Sequence, residues 1–596
     1  MSVLDRIERL RNVMEQQKID CYIIPTDDYH HSEYVGDYFK FREYITGFTG
    51  SAGTAVFTKD KAGLWTDGRY FIQAEAQLKG SGITLYKSGE SDVPTIEEFL
   101  KSELKEGDVL GFDGRTVTYA QGKRYCHIAD ENGASLKYSL DFAQNIWKER
   151  PEMSMEPVFS LEDEYTGEKI GSKLERIREI MKENGCNAHV LSSLDDIAWL
   201  LNIRGNDIAY CPLVLSYAIV YNNSVELFAD IRKFSDDIIN LLAENQVKIY
   251  PYEDIYRKVS EMTSEDKLLL DSSIMNYSLY QSISKETVIV DKQNPEILMK
   301  SVKNETQAEN LRKAHLKDAV AHTKFMYWLK KNIGRVEITE LSASARLEGL
   351  RAEQEHFLGP SFGPISAYGE HGAIVHYSAD EKSNVPLKEG KLFMTDTGGH
   401  YLEGSTDITR TVALGEVGNI EKEHFTLVAR AMLRLANTVF LYGCSGANLD
   451  CIAREVFWKE GLNFNHGTGH GVGYLLNIHE GPINFRWKEG ERPAPALEEN
   501  MVITDEPGIY IEGSHGIRLE NELLVRKTVK NEYGQFMNFE ILTYVPIDLD
   551  AILPEKMSTE EKEMLNHYHK QVYEKVSPYL SEEERSWLKE YTRAVK

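Results

Sequence analysis

The feature that most constrains this chain is a repeat inside it. "LRNVMEQQKIDCYII" (10–24) is echoed by "IREIMKENGCNAHVL" (177–191), each running from a helix pattern through a polar turn into an apolar strand. Downstream, "AVFTKDKAGLWTDGRY" (55–70) is matched by "AIVYNNSVELFADIRK" (218–233), with Leu64, Asp67 and Arg69 opposite Leu227, Asp230 and Arg232. In each copy two β-rich runs flank a turn of Asp, Asn, Lys or Gly, the pattern of a hairpin. Helix–strand then hairpin, used twice in the same order, predicts two tandem α/β domains of one fold, over 1–158 and 159–302. "RPEMSMEPVFSLEDEYTGEK", around the join, has the charge and prolines of a linker.

From residue 303 the pattern changes. "NETQAENLRKAHLKDAVAHTKFMYWLKKNI" carries apolar residues near helical spacing and opens a third, larger domain, 303–596. β-rich segments such as "KLFMTDTGG" and "MVITDEPGIYI" alternate there with helical ones, "KEHFTLVARAMLRLANTVFL" and "DCIAREVFWKEG". A charged, helix-forming tail closes the chain. The expected class is α/β (α+β).

Charge narrows the function classes. The chain carries 68 Lys+Arg against 94 Asp+Glu, a net charge of −26. Such a surface repels nucleic-acid phosphates and anionic membranes. "MSVLDRIERLRNVMEQQ" reads as an amphipathic helix without the apolar core of a secretion signal. There is no run of about 18 apolar residues of the kind that spans a membrane. The six cysteines are scattered and form no C-x-x-C pair, which suits neither a disulfide framework nor a zinc ribbon. A reducing cytoplasm is the expected compartment.

Five short signals follow one another along the third domain. They are "MTDTGG" with Asp396, "STDITRT" with Asp407, "HGTGHGVG" with His470, "ITDEPGIY" with Glu506 and "GIRLENE" with Glu520. A strand-borne acid such as Asp396, after "KLFMT", is expected to be at least partly buried, and burying a charge without a partner is expensive. The basic residues inside these signals are Arg410 and Arg518. Two arginines do not neutralise four carboxylates, so a further cation is needed, and metal is the obvious one. Four carboxylates supply −4 and two divalent ions +4; a hydroxide between the ions then leaves −1, which a nearby arginine or histidine offsets. One ion alone leaves a larger negative excess, so two are favoured. Oxygen-dominated ligation with a single imidazole suits Mn²⁺, with Co²⁺ or Zn²⁺ able to substitute.

Each signal alone has an ordinary reading. An Asp beside Thr usually caps a turn, a Glu in "IRLENE" usually sits on a solvated strand face, and a lone histidine usually packs in core or surface. A glycine-rich loop often cradles phosphate, but "HGTGHGVG" lacks the Lys and Ser/Thr of a P-loop. No D-x-D-x-D-G calcium loop is present. The H-x-x-x-H spacing lacks the Glu of a zincin, and Gly467, Gly469 and Gly471 oppose the helix a zincin needs. The joint occurrence of the five signals, in order, carries the argument.

That ordered set resembles the metallopeptidase family with the pita-bread fold. Within it the resemblance is to the long, three-domain cytosolic Xaa-Pro aminopeptidases (aminopeptidase P). "FREYITGFTGSAGTAVFTKDKAGLWTDGRYFIQA" resembles the first domain of that type, "LSSLDDIAWLLNIRGNDIAYCP" the second and "LNHYHKQVYEK" its C-terminal helix. The resemblance implies two creatinase-like domains before a pita-bread catalytic domain. It implies Asp396, Asp407, His470, Glu506 and Glu520 as ligands of two divalent metals, with Asp407 and Glu520 bridging them. It places His376, in "GAIVHYS", and His466 at the substrate side, with His376 also among the catalytic residues. His479, in "LLNIHEGP", would stabilise the tetrahedral intermediate or move its proton, and Arg518 would stand next to the ligands, among the substrate-binding residues. Glu506 would also take and pass a proton.

The reaction so implied is hydrolysis of the first peptide bond in peptides with proline second, by a hydroxide bridging two metals, in a homodimer joined through the last domain. A prolidase-type dipeptidase shares the metal site, and a non-catalytic binding protein would share the fold. The N-terminal repeat argues against the dipeptidase and the intact ligand set against the binder. The glycines of "HGTGHGVG" are expected to form a loop whose backbone approaches metal and peptide closely, with His470 on the metal and His466 on the substrate.

Overall fold

The two apolar runs that end the repeated helices become central strands of two six-stranded sheets with the same wiring. The computed structural model describes residues 1–488, 490 and 493–596. The first sheet runs, edge to edge, Thr84–Lys87, Ala62–Thr66, Thr54–Thr58, Cys21–Pro25, Val109–Phe112 and Ser135–Lys137. The second runs Val247–Tyr250, Val225–Phe228, Tyr217–Tyr221, Ala188–Leu191, Lys267–Leu270 and Val288–Asp291. In both, the central strand pairs antiparallel with the hairpin on one side and parallel with a later strand on the other. The sequence repeat is therefore a repeat of topology.

The aligned acid and base have the same job twice. Arg69 Nε donates to Asp67 Oδ1 at 2.8 Å, and Arg232 Nε donates to Asp230 Oδ1 at 2.9 Å. Each pair closes the chain just beyond its hairpin, on partly exposed side chains, so its contribution is local geometry more than stability.

Residues 1–161 and 168–296 form one compact unit, and residues 162–167 with 297–596 form another. The short segment 162–167 joins the second unit because its carbonyls are claimed there. Asn304 Nδ2 donates to Thr166 O at 2.8 Å, and Asn310 Nδ2 to Glu164 O at 2.8 Å. Part of the stretch that reads as linker is thus fixed by the helix Glu305–Asn332.

In the second unit, that helix packs against the helix Glu340–Ala352, the helices Asn419–Ala436 and Gly446–Trp458 pack against each other, and with two sheets they share a core including Phe325, Phe393, Val412, Met432, Phe457, Ile503 and Leu523. One sheet has three strands, Ile365–Tyr368, Lys391–Thr397 and Ile408–Leu414. The other has six, ordered Phe440–Leu441, Gly534–Ile541, Asn521–Asn531, Val502–Asp505, Gly469–Val472 and His479–Phe485. The charged tail forms helices Thr559–Val576 and Glu582–Tyr591, and its apolar stripe of Leu565, Tyr568, Val572, Val576 and Leu588 is buried. No helix among the described residues is long and apolar enough to cross a membrane.

Candidate metal centre

Strand register brings acids distant in sequence into one space. Asp396 is registered opposite Thr409, which puts it beside Asp407 at the entrance to the adjacent strand. Glu520 sits between Arg518, at the end of the strand His515–Arg518, and the strand Asn521–Asn531, and its N–H donates to Thr409 O at 3.0 Å. Ligand-capable atoms of Asp396, Asp407 and Glu520 lie within 4.8 Å of one another, as do those of His470, Glu506 and Glu520. Glu520 belongs to both sets, the arrangement of a shared ligand. His470 Nε2 is 3.5 Å from Asp407 Oδ2 and 3.8 Å from Glu506 Oε1.

The electrostatics of this cluster call for a cation. Asp396, Asp407 and Glu520 are all less than a tenth exposed. Burial, then the neighbouring charges of Asp396 and Glu506, pushes the Asp407 carboxyl well above its ordinary range. Burial, then Asp407, does the same to Glu520, and burial raises Glu506 against the pull of His470. Asp396 Oδ1 is buried without a hydrogen-bond partner, while its Oδ2 accepts from the Arg518 guanidinium. The other arginine of the motifs gives no relief. Arg410 spends its guanidinium on the carbonyls of Thr409, Glu520 and Val545, on Asn521 Oδ1 and on the Tyr568 hydroxyl. One arginine faces four carboxylates, so the residues fit two divalent ions.

His470 is oriented for a metal. Its Nδ1 lies 2.8 Å from Gly471 O, so that nitrogen carries the hydrogen and Nε2 turns its lone pair towards the acids.

The glycines around it allow a close approach, but to neighbouring strands and within a strand of their own where a loop was expected. His466 does lie in an irregular segment, but His470 is on the extended strand Gly469–Val472. Neither Gly469 nor Gly471 has a positive φ. A Cβ at Gly469 would lie 1.8 Å from Thr504 O, and one at Gly471 would lie 2.2 Å from Glu480 O. The absence of a side chain lets this strand press against its neighbours and carries His470 to the acids. Gly469→Ala should therefore destabilise the protein by about 3 kcal/mol, and metal binding should weaken with it. Chemical denaturation and metal titration of the folded variant check both; unchanged stability would refute the packing role.

The histidines expected at the substrate side lie near the cluster in different ways. The His479 ring centroid is 4.4 Å from that of His470, at 75°. Ligand-capable atoms of His479, Asp407 and His470 also fall within 4.8 Å, so His479 lies closer to the ligand set than its expected role requires. His466 Nε2 is 2.8 Å from the Tyr510 hydroxyl. Burial, then the Arg518 charge, lowers His466 to about 3, and the charge of His376 also reaches it. His466 is therefore neutral at working pH.

Arg518 is 2% exposed and donates to Asp396 and, at 2.7 Å, to the Tyr510 hydroxyl. That geometry makes it a partner of Asp396 and of Tyr510 more than a contact for a peptide.

Two further participants were not singled out in the sequence. Tyr510 links His466 to Arg518, and it follows Glu506 within "EPGIY". Glu522 is fully buried, and its Oε1 accepts the backbone N–H of Asp407 at 2.6 Å. Its place two residues after Glu520 in a β-rich run is a legible signal, because alternate residues of a strand share a face.

Comparison with known proteins matches each part of the chain. Residues 6–137 and 149–307 each match a creatinase/prolidase N-terminal domain. Residues 309–527 match metallopeptidase family M24, and 535–595 the C-terminal region of peptidase M24. Aminopeptidase P1 of Arabidopsis thaliana is 34% identical over 99% of both chains. Xaa-Pro aminopeptidase 1 of Dictyostelium discoideum is 35% identical over 99% of this chain and 96% of its own. The crystal structure of X-prolyl aminopeptidase from Caenorhabditis elegans, described as a cytosolic enzyme with a di-nuclear active site, superposes with a TM-score of 0.95 at 34% identity, over all of both chains.

Proposed function

Because this chain belongs to metallopeptidase family M24, with relatives named Xaa-Pro aminopeptidase along its whole length, we infer that it is a metal-dependent aminopeptidase that removes the first residue of peptides with proline second. The observation that carries the reading is the cluster of Asp396, Asp407, Glu506 and Glu520, three of them buried, around His470, with Arg518 the one arginine bonded to these acids among the described residues.

Asp396, Asp407, His470, Glu506 and Glu520 would hold two divalent ions, Mn²⁺ being the best match to oxygen-rich ligation and Co²⁺ or Zn²⁺ alternatives. Bound there, the pair would supply a water deprotonated near neutral pH and positive charge for the developing oxyanion. Glu506, its carboxyl already raised by burial, takes up a proton and passes it on. His479 donates to the developing oxyanion, while His466, held neutral, orients the peptide together with His376. Arg518 holds Asp396 and Tyr510 in place.

The same reading divides the chain at 1–158, 159–302 and 303–596 and puts the protein in the cytoplasm. It also makes the protein a homodimer joined through the last domain. That domain exposes Val439, Leu441, Tyr442, Trp458 and Trp487, the two tryptophans edge to face at 5.8 Å, apolar surface that a second copy would cover.

Substrate choice tests the function. Proline second has no N–H and a rigid ring, which a shaped pocket selects. Xaa-Pro-Ala and Xaa-Pro-Pro tripeptides should be cut well, Xaa-Pro dipeptides poorly and Xaa-Ala-Yaa peptides hardly at all, measured by chromatography at equal concentration. Faster turnover of dipeptides would make this a prolidase-type enzyme, and efficient cleavage before alanine would end the proline reading.

A further inference from the structure

His376 sits on a loop that is held from behind by one buried carboxylate. Glu340 opens the helix Glu340–Ala352 and is fully buried. Its Oε1 accepts from Tyr368 N–H at 2.7 Å and from His371 Nδ1 at 2.8 Å. Its Oε2 accepts from the Tyr377 hydroxyl at 2.9 Å and more distantly from Val385 N–H at 3.4 Å. These four donors bracket the segment 368–385, and Tyr377 is the next residue after His376. The Glu340 backbone completes the clasp, its carbonyl accepting from Ser366 Oγ at 2.7 Å and its N–H donating to Val385 O at 3.2 Å. The His371 ring stacks on Tyr377 at 4.5 Å, so the two side-chain donors also brace each other.

On its other side the loop rests on the strand that carries Arg518. A Cβ at Gly516 would lie 1.6 Å from Gly372 O, so the two backbones touch directly. The loop is thus pinned between the metal-side hairpin and Glu340. A buried carboxylate that gathers four N–H and O–H donors, with no lysine or arginine bonded to it among the described residues, is built to hold a shape, since the four donors converge on it only with the loop in this conformation.

We propose that Glu340 is a positioning residue of the aminopeptidase reaction, its buried carboxylate fixing the loop that sets His376 against the peptide. The proposal rests on the reading of the site as an Xaa-Pro aminopeptidase. Glu340→Gln keeps the volume but turns an amide NH₂ towards at least one of the donors, so a donor meets a donor. With substrate misplaced rather than metal lost, kcat/KM for Xaa-Pro-Ala should fall roughly 10–100-fold, while metal content stays that of the wild type.

The decisive measurement is a double-mutant cycle with His376→Ala. If Glu340 works through His376, Glu340→Gln costs nothing further in the His376→Ala background. An equal cost in both backgrounds, or no cost in either, overturns the proposal. If Glu340→Gln unfolds, Tyr377→Phe, which removes one donor and leaves the acid, replaces it in the cycle with the same criterion. Amide hydrogen exchange over 371–378 reads the clasp without any substrate: exchange should quicken in Glu340→Gln or Tyr377→Phe, and unchanged protection overturns the proposal. If the wild-type protein leaves Xaa-Pro-Ala intact, the aminopeptidase reading fails on its own, and the exchange measurement still judges the clasp.

Discussion

A chelator should bring hydrolysis of Xaa-Pro-Ala down to background, and two equivalents of Mn²⁺ per chain should restore it. The cause is the unbalanced charge of Asp396, Asp407, Glu506 and Glu520 around His470, with Arg410 committed to carbonyls and, among the described residues, Arg518 alone of the arginines bonded to one of these acids. Asp407→Asn removes one of those charges while its backbone remains anchored on Glu522. It should bind fewer than two ions and lose more activity than the about 10²–10³-fold typical of deleting one transition-state contact. Elemental analysis of the folded variant measures the ions independently of turnover. Full activity in a rigorously metal-free sample, or two ions and normal rates in Asp407→Asn, refutes the dinuclear reading.

The same charges set a pH dependence for the metal-free protein. Asp407 and Glu520 have folded-state carboxyls raised well above their unfolded values, so the native state binds more protons than the unfolded chain. Stability from these two groups is then greatest below the unfolded carboxyl range, about pH 4, and is lost as pH rises through their raised values. Bound cations reverse the penalty. The gain in melting temperature on adding Mn²⁺ should therefore grow from pH 5 to pH 8, and a gain that shrinks over that range contradicts the assignment.

The second large effect is at His479. His479→Ala should lower kcat by about 10²–10³ with little change in KM, the scale of losing one group that stabilises the oxyanion or carries its proton. Two ions should remain bound. This readout matters because His479 lies within ligand range of Asp407 and His470. Loss of an ion in His479→Ala would make it a ligand, and a rise in KM alone would make it a substrate contact. His376→Ala should show a mixed kcat and KM effect if, as proposed, that residue also orients peptide.

Several features were legible before any tertiary structure. Helix and strand periodicity is local, so the helix Val3–Gln17, the hairpin strands Thr54–Thr58 and Ala62–Thr66 and their counterparts Tyr217–Tyr221 and Val225–Phe228 can be read from short windows. Ligand chemistry is a property of side-chain type, and the count of acids against arginines already required a cation.

What short windows do not hold is register and close approach. Only the pairing of Asp396 with Thr409, and of Glu520 N–H with Thr409 O, sets the acids together. The sequence counted Arg410 as a charge for the site, but the fold turned it onto backbone carbonyls. "HGTGHGVG" read as a loop closing on metal and peptide, yet Gly469 and Gly471 lie in a strand, small because Thr504 O and Glu480 O leave no room for a Cβ. Glu340 lies far from the five motifs in sequence and carries no signal of its own. Residue types and local periodicity determined the chemistry and the elements. The tertiary structure decided which groups meet, because a hydrogen bond or a missing Cβ acquires meaning only from a neighbour that the chain brings back from elsewhere.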